Sequence, residues 1–287
     1  MKSSMLKKLF AVMMIMVLVL GCFAGCGGGD AEVDGEGEGQ GEVTGDVSLQ
    51  SVLDKGELHV AISPDYAPYE YLDLMTGEIK GSDVMFANYI GEQLGVKVIF
   101  DQMSFESCLA AVGSNSTDLM ISCMGWSAER AESMELSEQY NAHKNIENTV
   151  LVKAENASIK TGEEFAGKVV AAQNGSTMYD RAVNELPGAE VKAVSSIADG
   201  IMMLQEGKVD GVAMALNVAE EFCANYDGLG IAEFRFVAEK NGNVVGAPKG
   251  DVAMIEKVNE IIAKAAEEDL FIQWFDEASA EAEKQGL

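Results

Sequence analysis

The stretch "GSDVMFANYIGEQLGVKVIFDQ", residues 81–102, carries the pattern that sets the fold. Val84, Ala87, Ile90 and Leu94 recur at helical spacing, Gly95 stops the helix, and an apolar run from Val96 reads as a strand. Upstream, "ELHVAIS" (57–63) reads as another strand. Downstream, "SFESCLAAVG" (104–113) puts Phe105, Leu109 and Val112 on one helical face before a second glycine stop. A strand is predicted from Asp118 to Ser122. The order is β-α-β-α-β, which predicts an α/β fold with a mostly parallel sheet and helices on its faces.

The same grammar returns later in the chain. "GKVVAAQNGST" (167–177) is a strand running into a loop, and "AEVKAVS" (189–195) is the next strand. Ile197, Ile201 and Leu204 form a helix face stopped by Gly207, and "VDGVAMA" (209–215) is a strand. "AAVGSNSTDLMIS" and "MLQEGKVDGVAMA" both read as helix, glycine stop, short loop, aspartate, buried strand. Two lobes of one design produce such a repeat. Ile255, Val258, Ile262 and Ala265 mark carboxy-terminal helices expected on the first lobe.

The chain has 287 residues, 47 acids against 20 bases, and a formal net charge of −27. Nothing in that balance neutralises phosphates, so nucleic acid is excluded as a partner. The amino terminus differs from the rest. Lys2, Lys7 and Lys8 precede an apolar run from Leu9 to Leu20, followed by "VLVLGCFAGCGGGD". This is the three-part form of a secretory signal, with an apolar part short for a membrane span. "FAGC" and "VLGC" both resemble a lipobox, which makes Cys26 the expected lipid attachment point and Cys22 the alternative. Residues 27–48 are glycine and acid with no Lys or Arg, and read as a disordered tether. Cys108, Cys123 and Cys223 do not have zinc spacing, and one disulfide among them is left open. No metal or cofactor is expected.

Open α/β sheets bind ligands beyond the carboxyl ends of their strands. Here those ends are "CMGWSAER" (123–130) and "NGSTMYD" (174–180), both small, hydroxyl-bearing turns ahead of a helix. Such turns cradle anions. The first ends in Arg130, one of only three arginines. A guanidinium matches a carboxylate in shape and charge.

At these residues the chain resembles the solute-binding proteins of polar-amino-acid ABC transporters, solute-binding protein family three. The landmarks are "PDYAPYEY", "GSDVMFANYIGEQLGVKV", "DLMISCMGWSAERAESMELSEQY", "GKVVAAQNGSTMYD" and "LQEGKVDGVAM", in family order from about Leu49 onward. The resemblance implies a periplasmic-binding-protein-like fold of two α/β lobes joined by two crossing strands. Residues 1–26 would then be the lipoprotein signal, 27–48 the tether, 49–147 plus 242–287 the first lobe and 148–241 the second. The ligand would lie in the cleft, its carboxylate on Arg130 and on Ser176 and Thr177 across from it. Tyr66 would pack over the ligand, Phe105 would form a wall, and Ser122 and Gly125 would face it. Gln173 would touch its variable part. Trp126 either caps the pocket or packs on the surface.

Two departures from the family pattern stand out. Gly125 replaces a hydroxyl residue, and Ala215 replaces the aspartate that takes the ligand's α-ammonium. None of the cleft residues named above is a carboxylate or a histidine. A small carboxylate is therefore a firmer expectation than an amino acid. The implied protein is a non-enzymatic monomer, lipid-anchored outside the cell membrane and delivering its cargo to an ABC permease. An enzyme of the cyclohexadienyl-dehydratase kind on this scaffold is the alternative. A sensory domain fits less well, since no membrane span follows.

Overall fold

The computed structural model describes residues 48–141, 147–237 and 242–286. The expected signal, Cys22, Cys26 and all of the tether but Ser48 lie outside these residues. Ser48 itself opens the first helix, α1 (Ser48–Lys55), instead of closing the tether.

The first sheet is built from β1 (Glu57–Ile62), β5 (Lys97–Gln102), β6 (Leu119–Met120), β7 (Met134–Leu136) and β13 (Gly246–Pro248), in the order β5-β1-β6-β13-β7. β1 runs parallel to β5 and β6, as the β-α-β reading requires. β13 enters from the far end of the chain and pairs antiparallel with β6 and β7. Helix α2 (Ser82–Leu94) buries Val84, Ala87 and Ile90, and ends at Gly95 in the left-handed region (φ 71). Between β1 and α2 a small antiparallel sheet forms from β2 (Asp65–Tyr66), β3 (Glu70–Leu72) and β4 (Ile79–Lys80). Helix α3 (Phe105–Gly113) covers the opposite face.

The second sheet comprises β8 (Asn148–Lys153), β9 (Val169–Gln173), β10 (Glu190–Val194), β11 (Gly211–Ala215) and β12 (Leu229–Ile231). Their order is β10-β9-β11-β8-β12. β9 lies parallel to β10 and β11, while β8 is the antiparallel intruder. Helices α5 (Thr177–Glu185), α6 (Ile197–Gln205) and α7 (Leu216–Asn225) pack on this sheet. The predicted repeat is thus a repeat of topology. It also extends to one side chain. Asp118 Oδ2 accepts from His59 N at 2.8 Å, and Asp210 Oδ2 accepts from Val169 N at 2.8 Å. Each aspartate ahead of a third strand holds a backbone N–H of the first.

The cores follow the predicted periodicities. Val52, Leu58, Phe86, Ile90, Leu119 and Val258 form one cluster with the helices α8 (Val252–Glu267) and α9 (Leu270–Glu283). α9 is not confined to the first lobe, because Phe275 also packs against Tyr69 within a core built mostly from second-lobe residues. The strand predicted for 118–122 is shorter than expected. Ile121 N still donates to Ala61 O at 3.2 Å, after which the chain turns away into the site. Cys108, Cys123 and Cys223 are free thiols, which closes the disulfide question.

Candidate functional site

The two strand-end turns face each other across a cavity with about 840 Å³ of empty space, part of it open to solvent. Tyr66, Phe105, Ser122, Gly125, Trp126, Arg130, Gln173, Ser176 and Thr177, the residues expected from the sequence, all line it.

The first turn is held down residue by residue. Ser122 Oγ accepts from Ser63 N at 3.0 Å. Cys123 adopts a left-handed backbone (φ 45) that points its N–H at Asp83 Oδ2, 2.7 Å away. Val244 N donates to Met124 O at 2.8 Å. Ser127 then caps helix α4 (Ala128–Ser133) by accepting from Arg130 N at 3.2 Å. The cap fixes the helix start and hence the direction of Arg130, which is only 7% exposed. Its guanidinium lies 5.6 Å from the centroid of Phe105. It donates to Gly125 O on its own loop and to Gly175 O on the facing one, the latter at 2.7 Å. Both acceptors are neutral carbonyls. Burial lowers its pKa to about 10, with Asp180 and Glu129 opposing the shift, so it stays charged at neutral pH.

The second turn mirrors the first. Gln173 ends β9, Gly175 takes φ 74, and Ser176 caps α5 by accepting from Tyr179 N at 3.2 Å. Only glycine accommodates Gly175 easily, since a Cβ there would stand 3.1 Å from Leu109 Cδ1 of α3. Thr177 sits directly over Gly125, where a Cβ would approach Thr177 Oγ1 to 3.1 Å.

Further hydrogen bonds cross between the lobes. Gln173 Nε2 and Ile197 N both donate to Asp65 Oδ2, at 2.9 and 3.1 Å. Ala215 N donates to Tyr66 OH at 2.8 Å, and Asn217 Nδ2 to Tyr69 OH at 3.0 Å. Gln173 is therefore engaged with Asp65 as well as lining the cavity. Tyr66 and Tyr69 stack with centroids 6.0 Å apart. Trp126 lines the cavity and packs against the buried cluster that contains Phe105 and Met124.

The cleft also contains a carboxyl group that the sequence reading did not name. Glu70 of β3 is 1% exposed and lines the cavity. Its Oε1 accepts from Ser122 Oγ at 3.0 Å, and its Oε2 is buried with no donor. Burial, reinforced by Asp83, holds its pKa well above the usual carboxylate range. Ala215, where the family pattern has an acid, presents only its N–H to Tyr66. Glu70 stood in the quoted "PDYAPYEY" all along, but the alternation of so short a strand does not reveal which face an acid takes. Arg181 of α5 also lines the cavity, with Nη1 buried and unpartnered. Among the described residues no group of His, Cys, Asp and Glu is arranged to hold a metal. None of their helices is long and apolar enough to cross a membrane.

The sequence matches bacterial extracellular solute-binding proteins, family 3, over residues 58–277. It is 23% identical over 226 residues to ABC transporter arginine-binding protein 1 of Escherichia coli, covering 76% of this chain and 90% of that one. It is 29% identical over 160 residues to the L-cystine-binding protein TcyA of Bacillus subtilis, covering 56% of this chain and 58% of that one. Among solved structures, the amino acid ABC transporter substrate-binding protein AbpA of Streptococcus pneumoniae, bound to L-arginine, superposes with a TM-score of 0.77. Identity to it is 30%, covering 81% of this chain and 98% of that one. With its fold and the extent of the match, this chain belongs to the bacterial extracellular solute-binding proteins, family 3.

Proposed function

We propose that the protein is the extracytoplasmic receptor of an ABC importer and that its cargo is an amino acid. The observation that carries this reading is the buried guanidinium of Arg130, whose two hydrogen-bond acceptors are both neutral carbonyls. A carboxylate is the partner such a group favours, because a charge-assisted bidentate bond is stronger than bonds to carbonyls. Ser176 and Thr177 supply hydroxyls at the same end, beside the start of a helix. Glu70 restores "amino acid" over "small carboxylate", because it supplies the acid that Ala215 lacks. Relatives named for arginine and cystine binding support the same class.

In this reading the first lobe spans 49–147 plus 242–287 and the second 148–241. The chain is a monomer, tethered through residues 27–48 to a lipid on Cys26, with Cys22 the alternative. It sits on the outer face of the cell membrane and hands its ligand to the permease. Thermal-shift screening of the twenty amino acids plus cystine tests the ligand, with decarboxylated analogues as controls. An amino acid that stabilises the wild type, and neither its decarboxylated analogue nor R130A, is the expected result. Stabilisation of R130A by the same compound would refute it. Labelling with a fatty-acid probe, lost on C26A, tests the anchor.

A second reading gains from the same Glu70. A buried carboxyl group beside a cavity, its pKa held well above the usual range, is what an elimination enzyme requires as its general acid. Product formation from prephenate or arogenate, lost in E70Q, would favour it.

A further inference from the structure

The acids beneath the cavity leave two oxygens unexplained. Asp83 Oδ2 is satisfied twice, by Cys123 N at 2.7 Å and by Tyr140 OH at 2.8 Å. Glu70 Oε1 is satisfied by Ser122. Glu70 Oε2 and Asp83 Oδ1 are both buried without a donor. Consecutive residues of one turn hold the two acids, Ser122 donating to Glu70 and Cys123 N to Asp83, and each acid shifts the other's titration. Two carboxylates have only acceptors, so a hydrogen bond between them needs a proton on one. A single proton held between the two groups would give both orphaned atoms a partner.

We propose that Glu70 and Asp83 share one proton under the cavity, and that the cationic group of an incoming amino acid displaces it to solvent, coupling capture to proton release. This rests on the reading of the cavity as an amino-acid site. Like-charged carboxyls in one buried site cannot both ionise easily, as in proton-sharing dyads elsewhere. Asp83, with two donors on one oxygen, is the better anion, so the proton belongs to Glu70. The groups around the pair are Asp65 on β2, whose charge raises Glu70, Tyr66 and Tyr69 beside it, Cys123 on the site loop, Tyr140 behind α2 and Cys108 on α3, with Arg130 and Arg181 lining the same cavity as Glu70. The two arginines aside, each is neutral or anionic, and no cation is a resolved cause of the shift at Glu70 or Asp83. Burial raises Asp83 to about 6 and holds Glu70 well above its ordinary value, the direction a shared proton requires. An ammonium or guanidinium arriving at Glu70 replaces that proton as counter-charge, and the pair ionises fully.

The test is calorimetry of the whole protein with L-arginine, near neutral pH, in buffers of different ionisation enthalpy. About one proton should leave per arginine bound, and affinity should rise by up to about tenfold per pH unit. E70Q removes the titrating group while its amide still donates to Asp83, so it should fold, bind more weakly and release no proton. Arginine binding that depends on Arg130 but is pH-independent and proton-neutral would sink the shared proton while leaving the amino-acid site intact. Infrared spectroscopy of the protein alone decides the matter where arginine does not bind. A carbonyl stretch of an un-ionised acid at neutral pH, absent in E70Q, supports the pair, and its absence from the wild type overturns it.

Discussion

The turn after β6 and the turn after β9 are built to one plan and do opposite jobs. Each leaves the carboxyl end of a parallel strand, and each caps a helix through a serine, Ser127 in one and Ser176 in the other. The first turn drives a positive side chain, Arg130, into the cavity. The second offers a carbonyl at Gly175 and hydroxyls at Ser176 and Thr177. The first rests on ionisable floor groups, Glu70 through Ser122 and Asp83 through Cys123 N. The second rests on neutral backbone, Gly175 against α3. A repeated frame thus fixes where two loops meet, and a few side chains divide the work between them.

That division predicts an unequal response to mutation. R130A should abolish amino-acid binding by calorimetry, a loss of at least about 3 kcal/mol, because it removes the buried charge that pairs with the carboxylate. T177A, which removes one hydroxyl from the facing loop, should cost about 1–2 kcal/mol of affinity. Equal losses in the two variants would show that the loops share the anion evenly. The frame itself should respond symmetrically. D118A and D210A each remove a carboxylate that accepts a strand N–H, so each should lower stability by about 1–2 kcal/mol in denaturant titration. A neutral result for either one would break the equivalence of the repeats. S127A and S176A should each cost about 1 kcal/mol as lost caps, but only S176A also removes a cavity hydroxyl. The smallest effect concerns the floor. Acidification through about pH 6 protonates Asp83 and weakens its acceptance from Cys123 N. Protection of that amide, by hydrogen exchange relative to Ser176 N, should fall on the acid side.

Much of this was legible in residues. The helical spacing of Val84, Ala87 and Ile90 and the stop at Gly95 appear in the structure as read. Arg130 was conspicuous because arginine is scarce in the chain, and the small residues before it marked the end of a strand. Glu70 was not legible as a cavity residue. It stands on a three-residue strand, and its direction is set by pairing with β2 and β4 and by contact with Ser122, fifty-two positions away. The partnership with Asp83 is equally invisible, since one acid lies on a strand and the other in the first turn of α2. The sequence repeat showed an aspartate before each third strand, yet its grip on the first strand is a long-range bond that no local pattern encodes.

Asn243 anchors the returning chain to the loop that carries Arg130. It bridges both Gly125 and Tyr140 through backbone, and its amide donates to Cys123 Sγ at 3.2 Å. From that residue onward the chain is part of the jaw that holds the guanidinium. If the two lobes part, Arg130 keeps Gly125 O on its own loop and loses Gly175 O on the facing one. Trp126 lines the cavity next to Gly125, so its fluorescence would report that separation.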